Sequence, residues 1–230
     1  MTKIILAAAG YDVDRATIDA YVHNPVNGNR AQRFNFPDRD EAVSVEAVIP
    51  DIHMNTPEAV AALGERFSIN GVRLIKTHNL VPEGAARYLY LFREPKAACT
   101  SYFQLNTGPE FVAEKRADAG FTAFFNEAVS NYIDIYVAMG EAALRDIDRS
   151  RAAPLALTRL EAGDASDLVA WFASAGSTIG ANLIADMAQK NKKKSGFNAE
   201  LLGLWDSSSL DRLKRAQDVY ARLAERRAPD

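Results

Sequence analysis

Apolar residues in this chain gather into short runs closed by polar residues, and these runs alternate with stretches whose apolar positions recur every three or four residues. Short bounded runs predict buried strands, and the three-to-four spacing predicts amphipathic helices. Lys3–Ala9, Val72–Ile75, Tyr88–Phe92 and Pro154–Thr158 read as strands. Phe121–Asp146 is the longest helical pattern, and its aromatic stripe reads as core packing. Asp14 is placed to N-cap a helix over Arg15–Val22, and Thr56-Pro57-Glu58 opens a helix that runs to about Phe67. A helix is predicted from Pro95 onward, with others over Ala165–Ala175, Ser177–Gln189 and Leu210–Arg226. Asn24–Asp40 and Asn106–Glu110 read as loops. Strands alternating with helices predict an α/β fold, a mostly parallel sheet flanked by helices.

Composition narrows the class. No Pro/Gly/Ser-rich linker divides the 230 residues, so 1–230 is read as a single domain. At 48% hydrophobic residues the chain can fill a sizeable core. A net charge of −3 leaves no general nucleic-acid footprint. One cysteine, Cys99, allows no internal disulfide and suits a reducing compartment, and its place inside the Pro95 helix reads as apolar packing. The run Ile4–Ala9 is too short for a signal sequence, and no run of about 18 apolar residues exists to span a membrane. The expectation is a cytoplasmic protein with a small-molecule partner and neither nucleic acid nor membrane. His23, His53 and His78 are too scattered for a metal cluster, so no metal is expected.

The chemistry concentrates between Gly71 and Gln104. The strand Val72–Ile75 hands over to Lys76-Thr77-His78-Asn79, and the strand Tyr88–Phe92 to Arg93-Glu94-Pro95-Lys96. In an open α/β sheet ligands collect outside the carboxyl ends of strands. A Lys, a His, an Arg and a helix N-terminus, which attracts anions, are therefore expected to converge there. Arg93 and Ser101, eight residues apart, are placed to grip a phosphate.

This stretch, Arg-Leu-Ile-Lys-Thr-His followed by Tyr-Leu-Tyr-Leu-Phe-Arg-Glu-Pro-Lys-Ala-Ala-Cys-Thr-Ser-Tyr-Phe, resembles the middle of the sulfotransferases that use 3′-phosphoadenosine 5′-phosphosulfate (PAPS). The resemblance covers about thirty-five of the 230 residues. It implies a P-loop-like sulfotransferase fold and transfer of a sulfuryl group from PAPS to a small hydroxyl- or amine-bearing acceptor. It makes His78 the general base, Lys76 the cation that offsets charge on the leaving phosphate, and Arg93 and Ser101 the grip on the nucleotide's 3′-phosphate.

Three other family features are altered. The opening loop, which in the family carries a Lys and cradles the 5′-phosphosulfate, reads Ala9-Gly10-Tyr11-Asp12-Val13-Asp14-Arg15-Ala16-Thr17 here. Two carboxylates stand where an anion should bind, and Arg15 and Thr17 are the partial stand-ins. Of the family's Tyr-Glu-Asp turn near the adenine only Glu161 remains. The C-terminal Arg-Lys-Gly that meets the 3′-phosphate usually precedes Gly-Asp-Trp. Here Gly203-Leu204-Trp205 is preceded, further upstream, by a lysine run in which Lys193, Lys194 and Gly196 are candidates. A lysine run also suits a solvated surface. The altered first loop keeps a second reading open, a non-catalytic or repurposed relative that retains the scaffold.

Overall fold

Residues 17–23, 30–35, 51–52, 68–69, 72–73, 76–77, 87–174 and 199–226 are described by the structure, a computed structural model, with side chains described within 87–174 and 200–226. The chain divides into two compact units, Met1–Arg87 with Arg159–Asn191 and Pro229–Asp230, and Tyr88–Thr158 with Lys192–Ala228.

Among the described residues the first unit begins with β1 (Thr17–His23), antiparallel to β2 (Arg30–Asn35). The helix expected over Arg15–Val22 is therefore strand from Thr17 onward, and part of the expected loop Asn24–Asp40 is its partner. Thr17, Ile18, Tyr21 and Val22 are β-branched or aromatic, and their fit to a pleated surface outweighs the Asp14 cap signal. Thr17 is accordingly the first residue of a strand. The register shifts between Ile18 and Ala20, as a bulge does. Next come β3 (Asp51–Ile52), β4 (Ser68–Ile69), β5 (Val72–Arg73) and β6 (Lys76–Thr77).

Of the expected strand Val72–Ile75, Val72–Arg73 is described as strand, and Leu74 and Ile75 lie outside the described residues. Val72–Arg73 pairs antiparallel with Ser68–Ile69, while Lys76–Thr77 pairs parallel with Asp51–Ile52. The Ile69–Val72 pairing brackets Asn70-Gly71, the dipeptide best suited to a two-residue hairpin. Lys76, expected just past a strand's end, is itself described as strand. The expected elements Lys3–Ala9, Thr56–Phe67 and Ser177–Gln189 lie outside the described residues.

In the second unit, β7 (Tyr88–Phe92) leads into α1 (Pro95–Thr107), α2 (Pro109–Lys115) and the 28-residue α3 (Phe121–Asp148). The expected loop at Asn106–Glu110 shrinks to Gly108, whose φ of 81° is a backbone state glycine adopts without strain. β8 (Ala152–Ala156) then pairs parallel with β7. It lies two residues earlier than expected, because Leu157 already begins the short α4 (Leu157–Glu161). α5 (Ser166–Ser174) belongs to the first unit and buries Leu168, Trp171 and Phe172. The chain re-enters the second unit through a 3₁₀ turn (Ala199–Leu204) and α6 (Ser207–Ala224). Among the described residues the strand pairings are two parallel and two antiparallel, each of two strands. None of the described helices is long and apolar enough to cross a membrane.

The core of the second unit is the apolar stripe of α3. Phe121, Phe125, Val129, Ile133 and Val137 face inward at intervals of four, and each buried side chain contributes about 1.5–3 kcal/mol. Phe103 of α1 meets Phe121, Phe124 and Phe125 edge to face, a geometry ring quadrupoles favour. Phe124, in the same pattern, is exposed. Val219 and Leu223 of α6 come so close to Gly140 of α3 that an added Cβ there would collide with the Val219 side chain.

A polar node anchors the start of α6. Asn126 donates to the carbonyls of Thr122 and Leu204 and accepts from the Asp206 N–H, while Asp206 caps the helix by accepting from the Ser209 N–H. An amide of this kind holds a whole segment in register, because losing it would leave several buried groups unpaired.

Candidate functional site

The pairing of β7 with β8 runs from Tyr88–Ala152 to Phe92–Ala156, so the two strands end level and Arg93 and Leu157 leave at the same edge. Every residue of β8 is buried. At the opposite end of the pair Tyr88 donates to Asp146 at 2.8 Å, and Arg151 bonds the other oxygen of that buried carboxylate at 3.1 Å. Burial first, then the bond to Asp146, raises the Tyr88 phenol far above its ordinary range.

Beyond β7 the chain makes a turn fixed from several directions. Glu94 is extended at φ −51° and ψ 128°, and Pro95 takes the first helical position with its φ already suited to a helix. The Glu94 carboxylate folds over the helix end and accepts from the Lys96 N–H at 3.0 Å and the Ala97 N–H at 2.7 Å. Two of the free donors of the α1 N-terminus are thereby satisfied by an anion from the chain itself. Behind the turn, the Tyr136 hydroxyl of α3 donates to the Arg93 carbonyl at 2.8 Å. Burial pushes the Tyr90 phenol up to about 12, and burial with the Glu94 charge does the same to the Cys99 thiol. Cys99 therefore stays protonated and packs as the small apolar residue the sequence predicts.

Arg93 and Ser101 are both half-buried. Ser101 lies six residues beyond Pro95, about 9 Å along the helix axis. No carboxylate among the described residues pairs with the Arg93 guanidinium. The neighbouring cation is already occupied: the Lys96 ammonium lies over the Trp205 ring, 5.8 Å from its centroid. Trp205 also donates from Nε1 to Thr100 Oγ1 at 3.1 Å, and Thr100 in turn donates to the Lys96 carbonyl at 2.7 Å. The Gly203-Leu204-Trp205 segment is thus seated on the first turns of α1.

Of the other residues singled out from the sequence, Thr17 and Lys76 are described in backbone only, as strand residues. Arg15, His78, Lys193, Lys194 and Gly196 lie outside the described residues. Glu161 is exposed at the end of α4. In the first unit, Arg159 bonds Asp164 at 2.6 and 2.9 Å, Asp167 at 2.5 Å and Ser166 at 3.2 Å. Sequence reasoning missed Glu94 as a cap, Tyr136 as a donor and Trp205 as the partner of α1. Glutamate is not among the preferred N-caps, so only the neighbouring Pro95 hinted at it. Tyr136 is indistinguishable by spacing from other aromatic positions of α3. Among the described residues no group of three or more His, Cys, Asp and Glu is gathered to hold a metal ion. No protein-family model, curated protein or solved structure matches the chain.

Proposed function

We propose that this chain is a divergent PAPS-dependent sulfotransferase of the P-loop-like kind, in which Arg93 and Ser101 hold the nucleotide's 3′-phosphate. One observation carries the reading. Arg93–Ser101, which resembles the family's 3′-phosphate grip, runs into the helix whose Thr100 and Lys96 meet Trp205. Trp205 belongs to the Gly203-Leu204-Trp205 segment, which resembles the Gly-Asp-Trp following the family's second 3′-phosphate element; the candidates for that element itself, Lys193, Lys194 and Gly196, lie outside the described residues. Further support is the Arg93 side chain, half-buried at a strand's carboxyl end with no carboxylate partner among the described residues.

In this reading the acceptor oxygen attacks sulfur as the bond from sulfur to the bridging phosphate oxygen breaks. His78 takes the acceptor's proton, Lys76 offsets the charge left on the phosphate, and adenosine 3′,5′-bisphosphate departs. Glu94 favours a second reading, a retained scaffold without turnover, because its carboxylate fills the helix end that an anion would use.

Thermal-shift titration with adenosine 3′,5′-bisphosphate comes first, since a ligand of the folded state must raise its apparent stability. Transfer of label from ³⁵S-PAPS to a panel of phenols, alcohols and amines comes second. A shift together with transfer that falls about 10²–10⁴-fold in His78→Ala supports the enzyme. A shift without transfer supports the scaffold reading, and the absence of both overturns the nucleotide assignment.

A further inference from the structure

The Arg93 carbonyl lies two residues before α1, outside its ladder of hydrogen bonds. The N–H four residues on, that of Ala97, is taken by Glu94 Oε2 at 2.7 Å, and the Glu94 carbonyl is bonded by the Ala98 N–H at 2.9 Å. The donor that Arg93 does receive comes from 43 residues away, the Tyr136 hydroxyl at 2.8 Å. Tyr136 stands among Tyr90, Cys99, Tyr220 and Glu94, and burial first, then those neighbours, holds its phenol far above the ordinary range. The hydroxyl therefore keeps its proton and remains a donor at any physiological pH.

We propose that Tyr136 is a positioning residue for Arg93, fixing the peptide plane after Arg93 and with it the direction in which the guanidinium leaves the end of β7. The inference rests on the sulfotransferase reading, in which that guanidinium meets the nucleotide's 3′-phosphate. The physical link is short. The held carbonyl and the Cα–Cβ bond share the Arg93 Cα, so anchoring the carbonyl from α3 and the next residue from the α1 cap restricts rotation about ψ of Arg93. A guanidinium that starts from a fixed stem loses less freedom when it forms a two-point bond to phosphate.

Tyr136→Phe removes the hydroxyl and keeps the ring, so packing survives. Three quantities are measured on the full chain: affinity for adenosine 3′,5′-bisphosphate, affinity for adenosine 5′-monophosphate, which lacks the 3′-phosphate, and ¹⁵N relaxation of the Arg93 Nε–H. The expected result is a bisphosphate affinity lower by about tenfold, the cost of ordering one freer side chain on binding. Monophosphate affinity stays within about twofold, and Arg93 Nε order falls. A purely structural tyrosine would weaken both nucleotides alike and leave Arg93 order unchanged, and that result overturns the inference, as does an unaltered bisphosphate affinity. If the unmodified protein binds neither nucleotide, the sulfotransferase reading fails separately. The relaxation measurement then decides alone, with unchanged Arg93 order rejecting a positioning role.

Discussion

Arg93, just past β7, and Arg159, just past β8, follow parallel strands in the sequence, yet their surroundings are opposite. Arg159 is surrounded by Asp164, Asp167 and Ser166, all within eight residues of it, and its charge is consumed in holding the turn between α4 and α5. Arg93 has a carboxylate for its immediate neighbour, but Glu94 turns to the backbone of α1. A guanidinium ringed by local acids is a structural clamp. One whose adjacent acid bonds backbone N–H groups, with no carboxylate partner among the described residues, has donors that no described acid takes up. The contrast makes Arg93 the candidate ligand-binding arginine.

Alanine at each position is the strongest way to break this contrast. Arg93→Ala should weaken adenosine 3′,5′-bisphosphate by about a hundredfold, the loss of charge-assisted bonds worth roughly 3 kcal/mol, while the urea midpoint moves little. Arg159→Ala should do the reverse. It leaves Asp167, whose side chain is only 10% exposed, without its cation. The expected cost is about 1–2 kcal/mol in urea unfolding, with nucleotide affinity unchanged. Equal effects of the two variants on binding would mean that Arg159 is no mere clamp.

A smaller change sharpens the picture of the turn itself. Glu94→Gln keeps a side-chain oxygen that can accept from the first turn of α1 but removes the negative charge beside Arg93. Affinity for the bisphosphate should rise about three- to tenfold, with a stability loss under about 1 kcal/mol. Isothermal titration at two salt concentrations checks this, since a charge effect must shrink as salt rises. An affinity that falls would show that Glu94 helps to bind the ligand rather than opposing it.

Much of the second unit was legible because its signals are local and mutually consistent. The run Tyr88–Phe92 is the strand β7, Pro95 opens α1, and the three-to-four spacing from Phe121 onward is α3. The strands before Lys76 were read less well, for two physical reasons. Asp14 resembles a cap, but the β-branched and aromatic residues after it form a strand. Asn70-Gly71 reads as a helix stop as much as a hairpin turn, whereas the residues on either side of it, Ile69 and Val72, pair as antiparallel strands. At the site, the order of Arg93, Pro95 and Ser101 follows from spacing, whereas Tyr136 and Trp205 reach the turn only through tertiary packing. Nothing in its own neighbourhood marks Tyr136, and the Gly203-Leu204-Trp205 motif marks Trp205 without telling that it packs on α1.

The smallest expected effect tests whether the Arg159 cluster is really closed. Asp164 is held down to about 2, first by the Ser166 hydroxyl, then by Arg159, then by the Ser166 N–H. An unfolded aspartate titrates near 3.9. A carboxyl depressed in the folded state favours folding above the unfolded value and loses that contribution as pH falls, so the window runs from about pH 4 down to 2. Because the Asp164 side chain is 44% exposed, solvent screening keeps the contribution small, about 0.5 kcal/mol or less. A global acid unfolding curve would bury it under other carboxylates, so the site-specific readout is the Asp164 carboxyl ¹³C shift followed from pH 7 to 2. Ser166→Ala should move its midpoint upward more than Arg159→Lys does, since the hydroxyl is the leading cause. A midpoint near 4 in the unmodified protein would mean that the acids around Arg159 bind it only loosely. Its charge would then be as little held by the described acids as that of Arg93, and the distinction between the two arginines would fall.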